Sequence, residues 1–155
     1  MILDKQIWPW RYGRVLCILG ALPYVLALMF RLIPHTAMWW PFISVLISSY
    51  TGLIISFIAG SHWGLSQKLS ASLAKRVLLC SNLLVIFSWI GILFPLWPFS
   101  FLILILGLWF AFALDSMLFS QQAIDKAYLI FRLKMTIFVS LIMIILACLG
   151  QHQLW

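Results

Sequence analysis

Residues 40–66 read W-P-F-I-S-V-L-I-S-S-Y-T-G-L-I-I-S-F-I-A-G-S-H-W-G-L-S. No Lys, Arg, Asp or Glu interrupts them, and the charge-free run extends from 32 to 67. About 20 apolar residues cross a bilayer core as a helix. Lipid offers the backbone no hydrogen bonds, so only a helix satisfies such a run from within. Pro41 suits the first turn, where a missing N–H costs nothing. Trp39 and Trp40 suit the interface beside it.

The rest of the chain has the same character. Of 155 residues, 65% are hydrophobic and 8% charged, against about 25% charged in a soluble domain. Mean hydropathy is +1.13. Such a chain cannot clothe a globule in polar surface. The expected architecture is an all-α integral membrane protein, a bundle of five transmembrane helices at about 15–33, 41–61, 77–94, 98–119 and 135–150. Two prolines three apart, Pro95 and Pro98, separate the third span from the fourth. Residues 1–14 form an N-terminal segment and 151–155 a short tail, leaving one membrane domain over 15–150. The basic, apolar opening lacks a small-x-small cleavage site and runs directly into Arg31, so the first span is expected to stay uncleaved.

The ten Lys and Arg set the direction. Lys5, Arg11 and Arg14 precede the first span. Lys68, Lys75 and Arg76 lie between the second and third, and Lys126, Arg132 and Lys134 between the fourth and fifth. Only Arg31 falls on the other side, giving nine against one. Positive charge stays inside, so the N-terminus is expected in the cytoplasm and the C-terminus outside. Scattered among short loops, these charges make no solvated basic face, and nucleic acid is not an expected partner.

Ser48, Gly52, Ser56, Gly60 and Gly64 recur every four residues. On a helix they form a small-residue stripe that drifts by about 40° per step. Small residues allow close helix approach in lipid. The second span is therefore expected at the centre of the bundle, or as a homodimer face of the G-x-x-x-G type. Trp40-Pro41-Phe42 and Trp97-Pro98-Phe99 open spans two and four, as in two repeated hairpins.

His62 lies about 200° around the helix from Gly60, off the stripe. The topology brings His62 and Trp63, Asp115, Tyr128 and Arg132 to one depth at the basic end, as a polar cluster. Asp115 is the one acidic residue inside a span, and a carboxylate there is costly unless paired. Arg132 can grip it with two bonds, and His62 can share the site. The cluster reads either as a structural lock or as a binding or proton-handling site. His35 and His152 belong to the opposite side, so His62 and Asp115 alone fall short of a metal site. Cys17, Cys80 and Cys148 are scattered and odd in number, which suits small apolar filler rather than disulfides. No nucleophile–base pair, phosphate loop or dinucleotide fingerprint is present, and no cofactor is expected.

S-Y-T-G-L-I-I-S-F-I-A-G-S-H-W-G-L-S (49–66) resembles the signature of the transmembrane protein 69-like family, domain of unknown function 3429. L-G-A-L-P-Y (19–24), Asp115 and Y-L-I-F-R-L-K-M-T (128–136) resemble its other marks. Ala127 and Phe131 depart from it, standing where tryptophan and leucine are usual. The resemblance spans about 13–145. It implies a small polytopic protein of bacterial inner membranes or mitochondria, and no defined activity. The opening is too short for an organelle presequence and carries Asp4, so the bacterial inner membrane is the expected home.

Three roles fit these observations. The leading one is a non-enzymatic protein acting through contacts with lipid or a membrane-protein partner. The others are a small-solute or proton-coupled carrier using His62 and Asp115, and an interfacial lipid- or quinone-modifying enzyme. Carriers break helices at mid-membrane, and Pro23 marks the one such break candidate. Orientation is open to direct measurement: Lys68→Cys in a cysteine-free background should resist an impermeant thiol reagent added to intact cells. Labelling from outside would invert the topology.

Overall fold

The computed structural model describes residues 4–33, 35–93 and 99–151, with side chains from 12 to 150 among these, residue 37 apart. Residues 94–98, with Trp97 and Pro98 of the suggested repeat, and residues 152–155, with His152, lie outside the described part. Six α-helices occur among the described residues: α1 (Asp4–Gly20), α2 (Leu22–Arg31), α3 (Trp40–Ser66), α4 (Ala71–Leu93), α5 (Phe99–Ser120) and α6 (Lys126–Gln151), with one 3-10 turn at Ala37–Trp39. No strand occurs among the described residues. Among the described residues, five stretches are long and apolar enough to cross a membrane: Tyr12–Arg31, Trp40–Ser66, Ala71–Leu93, Phe99–Ser120 and Lys126–Gly150. The protein is an all-helical, multi-pass membrane protein.

Three of the helices begin earlier than their apolar runs. α1 starts at Asp4, α4 at Ala71 and α6 at Lys126. Each extends through its Lys and Arg residues, because a helix continues at headgroup depth, where long basic side chains reach water.

The first span is two helices rather than one. Pro23 has no N–H, and its ring crowds the carbonyl four residues back. The chain answers with tight turns: Ala21 N–H donates to Ile18 O at 3.0 Å and Tyr24 N–H to Ala21 O at 3.2 Å. The Gly20 carbonyl loses its helical donor in this exchange. Tyr50 of α3 supplies another, its hydroxyl donating to Gly20 O at 2.8 Å.

α3 packs against α2, α4 and α5, while α6 lies between α5 and α2. Ile55, Leu84, Leu104, Met143 and Leu146 fill the centre with no exposed surface. Phe57 and Leu53, by contrast, are 80% and 68% exposed and face outward, where lipid is the solvent.

The small-residue stripe serves this packing over only half its length. Ser48 Oγ lies 2.9 Å from Ser100 Oγ of α5, and Gly52 packs against the Ile92 side chain of α4. Gly60 and Gly64 have open space where a Cβ would stand. Drifting by about 40° a step, five positions turn through about 160°, so the far end leaves the interface it began on.

The Trp40 end is closed by a different glycine. A Cβ on Gly150 would come within 2.6 Å of the Trp40 indole. The Arg31 guanidinium lies 5.8 Å from that ring and donates to Leu149 O at 2.7 Å, a carbonyl in the last described turn of α6. The two kinds of glycine should behave oppositely. Gly150→Val overfills a site walled by a rigid ring and should cost about 1–3 kcal/mol. Gly60→Ala should be neutral or stabilising by up to about 1 kcal/mol, from helix propensity. Thermal unfolding in a mild detergent measures both.

Candidate functional site

Asp115 stands on α5 about 8 Å before its last residue, Arg132 on α6 about 9 Å after its first, and His62 on α3 about 6 Å before its end. The alternation of helix directions makes these one layer. Asp115 and His62 have no exposed surface. His62 Nε2 donates to Asp115 Oδ1 at 2.8 Å, and Arg132 Nε donates to Asp115 Oδ2 at 3.0 Å. An ionised carboxylate only accepts, so it is Nε2 that carries the proton of this bond.

Two details differ from the sequence reading. Arg132 does not grip the carboxylate with both arms of its fork, because His62 already holds Oδ1; the guanidinium attaches edgewise through Nε. Its Nη2 is buried with no hydrogen-bond partner among the described residues. Trp63 does not join the layer. One residue on from His62 it is rotated by about 100°, and it is half exposed at the outside of the bundle. Tyr128 does stand beside the trio, its side chain reaching that of Arg132.

A cavity of about 550 Å³ opens beside this layer, between α1–α2, α3 and α6. Sequence reasoning missed it. Tyr128, Arg132 and Thr136 line one end, and Gly20, Tyr24 and Tyr50 the other. Leu16 and Phe57 stand in its wall and are 67% and 80% exposed, so the cavity reaches the outer face of the bundle between α1 and α3. The polar groups at its Tyr24 end are already paired. Tyr24 OH and Thr51 Oγ1 lie 2.9 Å apart, Thr51 donates to Ile47 O at 2.7 Å, and Tyr50 holds Gly20 O. The Thr136 end differs: its hydroxyl is buried and unpartnered among the described residues.

Residues 11–148 match the family model described as "Protein of unknown function (DUF3429)". The chain belongs to this family. No curated protein and no solved structure matches it. Membership brings architecture without an activity, so the chemistry of the layer has to be read from its own geometry.

That geometry is first a lock: one carboxylate ties α3, α5 and α6 together. Removing either charge leaves the other buried and uncompensated, a loss of about 3–5 kcal/mol for interior pairs. Asp115→Ala and Arg132→Ala should each lower the unfolding midpoint in detergent. The double variant should lose less than the sum, by a coupling of about 0.5–3 kcal/mol. Strict additivity would separate the two residues energetically.

Proposed function

We propose that this protein is a lipid-binding protein of the bacterial inner membrane, with its N-terminus in the cytoplasm and no catalytic step of its own. The observation that carries the reading is the cavity of about 550 Å³ between α1–α2, α3 and α6. Its volume is that of a site for one small ligand. From Ser61 to Tyr50 along α3 it runs for about 16 Å, close to half the thickness of a hydrocarbon core. One acyl chain of one leaflet fits that length. Leu16, Ile54, Ile58 and Val139 supply apolar walls, and the side facing lipid gives a chain a way in.

Nine of the ten basic residues fall in the segments on that side of the spans, and this charge asymmetry supports a cytoplasmic assignment for the end where the layer lies. The cavity mouth then sits at the headgroup level of the inner leaflet. The broken first span favours holding over transport. Carriers leave unwound backbone open to their ions, whereas Tyr50 already occupies the freed Gly20 carbonyl here.

Native mass spectrometry of the full chain, released from a mild detergent, tests the reading. The expected result is an adduct with the mass of one lipid, retained through purification. Cys17→Trp, a bulky change at an exposed position in the cavity wall, should remove the adduct while leaving the unfolding midpoint within about 0.5 kcal/mol of wild type. A bare wild-type protein, or an adduct indifferent to Cys17→Trp, would defeat the proposal.

A further inference from the structure

Resting on the lipid-binding reading, we propose that the cavity selects a single-chain amphiphile with an acidic head, a carboxylate or a phosphate, held by Arg132 and Thr136. Arg132 gives only Nε to Asp115. Tyr128 also bonds this guanidinium, which leaves Nη2 as the buried donor with no partner among the described residues. Guanidinium donors match carboxylate and phosphate oxygens better than any neutral acceptor.

Thr136 follows one turn later on the same face of α6 and lines the same cavity. It is 1% exposed, and its Oγ1 has no partner among the described residues. Many span hydroxyls donate back to their own helix, as Thr51 does to Ile47 O, Ser56 to Gly52 O and Ser81 to Val77 O. Thr136 and Ser140 have no partner among the described residues, and of these two Thr136 lines the cavity. A buried hydroxyl and a buried guanidinium arm, both unspent and one turn apart, form a donor pair awaiting an acceptor.

The far end of the cavity offers no competing place for a head, since Tyr24, Thr51 and Tyr50 have spent their hydroxyls on one another and on backbone. The head therefore belongs at Arg132 and the chain points toward Tyr24. Charge complementarity agrees. Asp115 has no exposed surface and engages the guanidinium at Nε alone. Arg14 on α1 and Lys134 on α6 are exposed near the same end, and a basic rim concentrates anionic amphiphiles. A second hollow of about 510 Å³ between α2 and α3 has no charged side chain in its lining, so it lacks this discrimination.

The test titrates delipidated full chain with three probes sharing one oleoyl chain: oleate, oleoyl lysophosphatidate and monoolein, read by native mass spectrometry at neutral pH. At least one acid should bind about tenfold or more tighter than uncharged monoolein, the gain expected when a hydrogen bond becomes charge-assisted. Preference for oleate alone marks a carboxylate site, and for lysophosphatidate alone a phosphate site. The paired variant Asp115→Asn with Arg132→Gln keeps polar side chains but removes both charges, and should reduce the preference to under about threefold. Thr136→Val breaks no side-chain hydrogen bond among the described residues, so it reports even if the paired variant does not fold; it should weaken acid binding several-fold and leave monoolein unchanged. Equal binding of all three probes would overturn the acidic head while leaving the lipid cavity standing. Preference unchanged in both variants would overturn the assignment to Arg132 and Thr136. Failure of every probe to bind would overturn the cavity reading itself.

Discussion

A carboxylate with no exposed surface, inside a bundle whose surroundings are lipid, is the constraint on which the arrangement of helices turns. Asp115 cannot be left unpaired at that depth without a penalty of several kcal/mol. It is met from two sides, by His62 of α3 and by Arg132 of α6. Hydrophobic burial cannot do this sorting, because lipid tails are as apolar as the helix faces they would displace. Polar links do it instead, and they occur at both ends. Asp115 joins α3, α5 and α6 at the basic end. At the other, Arg31 joins α2 to the last turn of α6 while its guanidinium lies over Trp40 of α3. Between these two fastenings α3 and α6 need not touch closely, and the cavity occupies the gap.

How much of this was legible in the residues follows from which forces are local. The five spans follow from charge-free runs, and the meeting of His62, Asp115, Tyr128 and Arg132 at one end follows from helix alternation. What depends on rotation about a helix axis was less readable. The stripe from Ser48 to Gly64 counts as regular in sequence, yet the drift of a 3.6-residue turn carries Gly60 and Gly64 off the packed face. Trp63 sits beside His62 in the chain and about 100° from it on the helix. The edgewise Arg132 was hidden for a different reason. Its geometry depends on whether His62 reaches Oδ1 first, which is a matter of side-chain competition rather than spacing. The cavity was hidden most completely, because it is made by where α1 is not.

That absence traces to the break at Gly20–Ala21. α2 packs inward: Tyr24 is fully buried and within 2.9 Å of Thr51. α1 does not; Val15, Leu16, Ile18 and Leu19 are 54–67% exposed. Pro23 breaks the helix between them, and the break takes helical donors from backbone carbonyls in a medium that supplies no substitute. Tyr50 of α3 supplies one to Gly20 O. Tyr50 and Thr51, adjacent on α3, therefore hold the two sides of the hinge, one on the freed Gly20 carbonyl and the other on the Tyr24 hydroxyl. The Y-T pair in the signature-like stretch 49–66 thus has a physical reason of its own. It fixes the bend that keeps a chamber open, while His62, at the other end of that stretch, fixes the helices that wall it.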